Sequence, residues 1–169
     1  DARLLARSIR FSGDSQIPEV DKDSGGLQHV RGMFSSQGLL IDPAVTPGLA
    51  GLMAEVYQRL RMPNEVVAAY VYSSSELQAS CLSNSTSECV TTFSSALVNL
   101  LDDKELQFVV GHEIGHFLLS HGLVHVDEDD ESPEQMMQQR AKEISADRLG
   151  LLACDSLDVA VRAMMKTAS

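Results

Sequence analysis

The chain has 169 residues, of which 44% are hydrophobic and 22% are charged, and these values are typical of one folded globular domain. Acidic residues outnumber basic ones by 24 to 13, for a formal net charge of -11; a surface this acidic repels phosphates, which excludes nucleic acid as a partner. No apolar run reaches the roughly 18–20 residues of a membrane span.

The first part of the chain is predicted to be irregular. Residues 12–38 combine Gly25-Gly26 with many serines and scattered charges, a composition typical of loops. We therefore expect residues 1–41 to form an irregular N-terminal arm, with a short helix near Leu4–Arg10, and residues 42–169 to form the folded domain. Because the chain opens without a signal peptide and without methionine, a fragment or a processed form is expected.

A helix followed by three short strands is predicted next. Thr46-Pro47 is typical of an N-cap followed by proline at the first helical position, and the apolar spacing continues to about Arg61. Val66–Tyr72 is rich in β-branched and aromatic residues, which indicates a strand. Two further strands are predicted at about residues 77–82 and 88–93.

The three cysteines are interpreted as free thiols. Cys81, Cys89 and Cys154 are an odd number, which argues against a complete disulfide framework. Cys81 and Cys89 could face each other across a hairpin, so a disulfide between them remains an alternative to two buried thiols.

The next predicted helix begins with a capping box. Asp102 stands three residues before Glu105, which is the spacing of that motif, and the helix is expected to run from Lys104 to Leu119 and to stop near Gly122. Five apolar residues fall on one stripe of this helix at about 100° per residue. They are Leu106, Val110, Ile114, Phe117 and Leu118.

Two more helices are predicted in the last third of the chain. Ser132-Pro133 with Gln135 indicates a helix start, and the pattern continues to about Cys154. The last helix is expected to open at Asp155 or Ser156. Its predicted apolar side consists of Leu157, Val161 and Met164.

The pattern His112-Glu113-Ile114-Gly115-His116 predicts a zinc site. Histidines four residues apart lie one above the other on a helix, and both can turn a nitrogen toward one metal ion. Glu113 projects beside that ion, where a carboxylate can act as general base on water whose pKa zinc lowers to about 7. A chance match on a predicted helix is rare, whereas a single histidine on a helix is usually structural.

The third metal ligand is predicted to be Glu143. Catalytic zinc usually keeps three protein ligands and one open position. The acidic run of residues 127–131 is a poor source, because carboxylates on a loop are badly preorganised. Asp147, one turn after Glu143 on the same helix, is predicted to accept a hydrogen bond from a liganding histidine and to fix its tautomer.

Other residues near the motif are given different roles. Gly111 and Gly115 are costly inside a helix and predict a strip that another helix approaches closely. His121 is interpreted as a core or helix-end residue rather than a ligand. His125 is assigned to a loop, and His29 receives no role.

Two segments together resemble a known family. Leu97–Leu119, with Asp102-Asp103-Lys104-Glu105-Leu106 leading into the histidine motif, is similar to HtpX-type metallopeptidases, as is the later run Glu143–Gly150. These gluzincins include the CAAX prenyl endopeptidases and the small minigluzincins. The resemblance covers about residues 46–155 and implies a zincin-like α+β fold with an active-site helix, a glutamate helix and a small sheet.

The resemblance also implies the activity and the site. It implies a zinc endopeptidase acting on unfolded or damaged polypeptides, with zinc on His112, His116 and Glu143. Glu113 would be the catalytic glutamate, and Asp147 would support the ligands. An extended substrate would pair with an exposed sheet edge, for which the segment Leu77–Leu82 is our candidate.

Two departures from the family leave questions open. Many members carry transmembrane helices, so a membrane-associated or cell-envelope parent protein is compatible with this chain, and its compartment and oligomeric state are not predicted. The family's later His-Pro segment with an arginine is not found in the 169 residues, so the oxyanion-stabilising group is open among Tyr70, Tyr72 and Arg148. The alternative functions are a catalytically silent, zinc-stabilised polypeptide-binding domain and a latent enzyme.

Overall fold

The computed structural model describes residues 25–83, 87–121 and 132–168. Within them the helices are α1 (Gly25–Gln37), α2 (Pro47–Arg59), α3 (Ser95–Leu100), α4 (Asp103–Leu118), α5 (Pro133–Cys154) and α6 (Leu157–Thr167). The strands are β1 (Gly38–Leu40), β2 (Val67–Tyr72), β3 (Ala79–Leu82) and β4 (Cys89–Ser94). The three predicted strands and the helices predicted from residue 46 onward are confirmed.

The strands form one mixed sheet, and the fold is α+β. The sheet order is β1-β2-β4-β3, with β2 and β4 parallel and the two outer strands antiparallel to their neighbours. All six residues of β4 are buried, as expected for an inner strand that is covered on both faces. The outer strands β1 and β3 are therefore the edges of the sheet.

The prediction of irregular structure is wrong for residues 25–40, which form α1 and β1. Three apolar residues at helical spacing give α1 a buried face, and tertiary packing of that face outweighs the weak helix propensity of glycine and serine. The cluster that covers this side of the sheet consists of Leu27, Val30, Phe34, Tyr70 and Val90. The predicted helix at Leu4–Arg10 lies outside the described residues, and the division of the chain at residue 42 stays a prediction.

Helix α4 lies at the centre of the larger core on the other side of the sheet. Twelve of its sixteen residues are buried, so its burial is not confined to the predicted stripe. Leu118 is an exception to that stripe, because it is 40% exposed at the end of the helix. The helix also ends at Leu118, four residues before the predicted stop near Gly122, since Ser120 adopts a left-handed conformation with φ of 55° that ends the helical path.

Helix α5 packs against α4 through small residues. A Cβ atom added at Gly111 would lie 2.4 Å from Ala153 Cβ, and one added at Gly115 would lie 3.1 Å from Ala146 Cα. Side chains at these two positions would separate the helices. The predicted close approach of a second helix to the two glycines is confirmed.

Helix α6 is joined to the start of α4 by charged groups. Glu105 is fully buried, and its carboxylate accepts hydrogen bonds from Lys166 Nζ at 2.6 Å and from Arg162 Nε at 3.4 Å. The same carboxylate completes the predicted capping box, since Glu105 Oε2 accepts from the Asp102 N–H at 2.9 Å and the Asp102 carboxylate accepts from the Glu105 N–H. One buried carboxylate thus stabilises two helices.

The predicted apolar side of α6 is wrong. Leu157, Val161 and Met164 are exposed, by 64%, 41% and 37%. The buried face carries smaller side chains, which let α6 lie close to α4. These are Val159, Ala160, Ala163 and Thr167.

The cysteines and the predicted helix caps other than Thr46 follow the sequence expectations. All three cysteines are free thiols, and the Cys81 thiol is hydrogen-bonded to Cys89, which raises its pKa. Ser132 and Ser156 cap α5 and α6 by accepting from N–H groups three residues later. Thr46 stands at the N-cap of α2, but its hydroxyl accepts from the Asp42 N–H instead of a helical N–H.

Across the described residues, none of the helices has the length and apolar character required to cross a bilayer.

Candidate metal centre

Two helices bring three ligand-type side chains together. His112 and His116 lie on α4, and Glu143 lies on α5 where the glycine strip lets the two helices approach. One ligand atom from each residue lies within 4.8 Å of the other two. In the part of the chain that the structure describes, this is the group of histidine, cysteine and acidic residues that could hold a metal ion.

The distances within this group match a tetrahedral zinc site. The two Nε2 atoms are 3.1 Å apart, and Glu143 Oε2 lies 3.5 Å from His112 Nε2 and 3.8 Å from His116 Nε2. Ligand atoms about 2.0–2.1 Å from a tetrahedral ion are separated by roughly 3.3 Å. The donors therefore fit zinc with only small adjustments, and two nitrogens with one carboxylate oxygen are a typical zinc ligand set.

His112 is oriented by Asp147. Its Nδ1 donates to Asp147 Oδ1 at 2.9 Å, and since a carboxylate only accepts, the proton on Nδ1 is fixed and Nε2 faces Glu143. Burial opposes the charged form of His112, but the hydrogen bonds to Asp147 and Glu143 outweigh it and raise its pKa to about 10. The surroundings of His112 therefore favour positive charge, and a metal ion bound at Nε2 would replace the proton there.

His116 has the opposite electrostatic behaviour. Burial, together with the neighbouring positive charge on His112, lowers the pKa of His116 to about 4. The ring is therefore neutral at physiological pH, which is the form that binds metal. Its Nδ1 lies 3.1 Å from Nδ1 of His121.

Glu113 is buried beside the ligands. The residue is 3% exposed. Its carboxylate accepts a hydrogen bond from the backbone N–H of Cys81. Its other oxygen, Oε1, has no hydrogen-bond partner among the described residues. Burial is the main cause that raises the pKa of Glu113 to about 7, against the lowering effect of His112. A carboxylate with such a pKa can both take and release a proton near neutral pH.

The bond to Cys81 ties Glu113 to the sheet edge β3. Ser94 N–H donates to Gln78 O at 2.9 Å, so the backbone groups of Gln78 point toward β4. In an antiparallel pair, the backbone groups of successive residues point alternately toward the partner strand and away from it. The N–H and C=O of Ala79 and Cys81 therefore point away from β4. The outward Cys81 N–H donates to Glu113, which brings the sheet edge next to the candidate metal centre.

Comparison with known proteins identifies the family. Residues 43–128, half of the chain, match the sequence model of peptidase family M48. The chain belongs to peptidase family M48. The matched segment contains α2 through α4 with the histidine motif and ends before Glu143, and membership supports metallopeptidase activity. Neither the curated proteins nor the solved structures contain a match.

The remaining sequence assignments in this M48 chain have mixed outcomes. The structure brings His112, His116, Glu143 and Asp147 together as the sequence reasoning expected, while their roles stay predictions. His121 does lie just past the end of α4, but its contact with a predicted ligand was missed. Helical geometry could not reveal that contact, because the left-handed turn at Ser120 redirects the chain.

The groups considered for oxyanion stabilisation are engaged or point elsewhere in the M48 chain. The Tyr70 hydroxyl hydrogen-bonds with Ser35 Oγ at 3.2 Å, and the Tyr72 hydroxyl donates to Gln78 Oε1 at 2.7 Å. Arg148 is exposed and follows Asp147 on α5, which puts it about 100° away around the helix. His125 and the acidic run of residues 127–131 lie outside the described residues, and His29 is exposed on α1, remote in sequence from the motif.

Proposed function

We propose that this chain is a zinc-dependent metalloendopeptidase with a zincin-like arrangement of an active-site helix, a glutamate helix and a small sheet, acting on unfolded or damaged polypeptides. The convergence of His112, His116 and Glu143 beside the buried carboxylate of Glu113 carries the proposal. A purely structural zinc site has four protein ligands and no need of a neighbouring base. Three ligands with an adjacent unpartnered carboxylate oxygen favour catalysis.

In the proposed site His112 and His116 offer Nε2 atoms and Glu143 offers Oε2. When bound, zinc supplies Lewis acidity, which polarises a carbonyl and makes water more acidic at neutral pH. All three ligands lie on helices that pack without intervening side chains at Gly111 and Gly115. This rigid support is what a preorganised catalytic site requires.

Glu113 is the proposed general base and acid. Its free oxygen accepts the proton of the attacking water, and the same carboxyl group then delivers the proton to the leaving amine. The hydrogen bond from the Cys81 N–H holds the carboxylate in place, and burial keeps competing water away. A pKa near 7 suits both transfers.

The proposed substrate-binding edge is β3. The Cys81 N–H is bonded to Glu113, so the outward N–H and C=O of Ala79 and the C=O of Cys81 would pair with a chain that adds as a further strand. Such pairing recognises backbone instead of sequence. Recognition of backbone fits unfolded polypeptide as the substrate class. The edge β1, by contrast, lies at the opposite end of the sheet order from β3.

The test compares wild type with Glu113→Gln and Glu143→Ala. Zinc per chain is measured by elemental mass spectrometry, and turnover is measured on an unfolded protein such as casein. We expect about one zinc in wild type and in Glu113→Gln, much less in Glu143→Ala, and a loss of turnover of about 10²–10⁴-fold in Glu113→Gln.

The outcomes separate the alternatives. Unchanged turnover in Glu113→Gln would eliminate Glu113 as the base. Zinc binding with no turnover in wild type would favour the silent binding domain or the latent enzyme. Comparison with a chain starting at Gly25, which keeps α1 and β1 on the sheet, distinguishes these two. No zinc in metal-replete wild type would overturn the site itself.

A further inference from the structure

The segment that follows α4 turns back onto the metal centre. Leu118 ends the helix, and Ser120 adopts a left-handed conformation with φ of 55°, which is unfavourable for a residue with a side chain. As a result the His121 ring lies against His116, with centroids 5.1 Å apart and planes at 73°. In a continuing helix, His121 would lie about 140° around the axis from His116.

Helix α5 holds this turn from the other side. Lys142 Nζ donates to the backbone oxygen of His121 at 3.1 Å, and Lys142 immediately precedes Glu143. The position of His121 is therefore fixed relative to both helices that carry the proposed ligands.

The hydrogen bond between the two histidines assigns their tautomers. His116 Nε2 faces His112 Nε2 and Glu143 Oε2, and it can bind zinc only if it carries a lone pair. A neutral imidazole then has its proton on Nδ1. That Nδ1 lies 3.1 Å from His121 Nδ1, so the His121 nitrogen must accept, and the His121 proton must sit on Nε2.

We propose that His121 is a positioning residue that accepts a hydrogen bond from His116 Nδ1–H and holds His116 in the tautomer and orientation that bind zinc. It does for His116 what Asp147 does for His112. Metal-binding histidines generally donate their second N–H to such a partner, most often a carboxylate or a carbonyl. Here one partner is an anion and the other is a neutral ring, so the two ligands are supported without a second negative charge. The inference rests on the proposed function, since it needs zinc at the site.

A direct ligand role for His121 does not fit the geometry. His121 approaches Nδ1 of His116, whereas the other two ligand atoms approach Nε2. The group of residues whose ligand atoms converge contains His112, His116 and Glu143, without His121. His121 therefore contacts the His116 ring at Nδ1, the nitrogen that does not face the other two ligand atoms.

The experiment measures the zinc dissociation constant by competition with a chelator for the full chain and its variants. His121→Leu removes the acceptor and should weaken zinc binding by about 10–100-fold. His121→Asn puts a carbonyl oxygen near the position of Nδ1 and should restore affinity to within about threefold of wild type. His29→Leu removes an exposed histidine on α1 and is the matched control, with no expected change.

A second measurement uses wild type alone and does not depend on the folding of a variant. In zinc-loaded protein labelled with ¹⁵N, ring nitrogen shifts should show the proton of His121 on Nε2 and the proton of His116 on Nδ1. A proton on His121 Nδ1 overturns the inference. So does His121→Leu with wild-type zinc affinity, or His121→Asn that binds as weakly as His121→Leu. If wild type binds no zinc, the proposed function has failed instead.

Discussion

Replacing Gly111 with alanine should destabilise the protein, although alanine is the better helix former. In an open helix, glycine to alanine gains about 1 kcal/mol. At Gly111 the new Cβ would lie 2.4 Å from Ala153 Cβ and 3.1 Å from Gly150 Cα and Leu149 O. Carbon atoms prefer about 3.5–4.0 Å, so α5 must move away from α4 by more than about 1 Å.

The magnitude follows from these two opposing effects. Overpacking of a core costs about 1–3 kcal/mol. The upper half of this range applies at Gly111, because two of the three atoms that the new Cβ would contact are backbone atoms, which cannot rotate away. After the gain in helix propensity, we expect a net loss of about 1–2 kcal/mol in the free energy of unfolding. The same displacement moves Glu143 away from the histidines, so zinc affinity should fall by about tenfold or more.

Gly51→Ala is the matched control. Gly51 lies in α2, and a Cβ atom added there would have no neighbouring atom within 4 Å, so the variant should be more stable by up to about 1 kcal/mol with unchanged zinc affinity. Denaturant unfolding of the metal-free proteins measures stability without linkage to zinc, and chelator competition measures affinity. A Gly111→Ala protein at least as stable as Gly51→Ala would refute the argument from helix contact.

Two further substitutions probe the charged contacts. Glu105→Gln should lose about 2–4 kcal/mol of stability at pH 7, since the charge that assists the hydrogen bonds from Lys166 and Arg162 is lost and one of the two acceptor oxygens becomes a donor. Burial raises the pKa of Glu105, but its hydrogen bonds to Lys166 and Asp102 outweigh this and lower it. The deficit relative to wild type should therefore be full above about pH 5 and shrink as acid protonates the carboxylate; a deficit independent of pH in denaturant titrations would contradict this. Asp147→Asn should weaken zinc binding by about 10–100-fold in chelator competition, and unchanged affinity would show that His112 needs no anionic partner. The variant should also lower metal-free stability at neutral pH, because Asp147 stabilises the protonated form of His112.

The local signals in the sequence were sufficient for most of the fold. Capping boxes, N-cap serines and the alternation of strand residues depend on neighbours within about four positions, and Asp102, Ser132 and Ser156 cap helices as expected. The residues of the candidate metal centre were also predictable, because His112 and His116 are one helical turn apart and so are Glu143 and Asp147. Gly111 and Gly115 indicated the contact that joins the two pairs.

The wrong or missing predictions concern segments whose conformation depends on residues that are distant in the sequence. Gly25-Gly26 and the serines of α1 suggest a loop, and only the sheet surface, with Tyr70 and Val90, explains why a helix forms there. In α6 the larger apolar side chains, such as Leu157, are exposed because close packing on α4 accepts only small residues. The contact of His121 with His116 was not predicted for a related reason, since an unfavourable backbone conformation at Ser120 cannot be read from helical periodicity.

The backbone contact between Cys81 and Glu113 leads to a last prediction. Glu113 accepts from the N–H of Cys81 and not from its thiol, so Cys81→Ala should leave the proposed base in place. The variant loses one partly buried thiol and its hydrogen bond to Cys89, which costs about 1 kcal/mol or less, and cleavage of casein should stay within about threefold of wild type. If the thiol itself took part in proton transfer, Cys81→Ala would lose activity to nearly the extent of Glu113→Gln while retaining zinc. The comparison therefore decides whether β3 contributes to the centre through its backbone, as the outward N–H implies, or through its side chain.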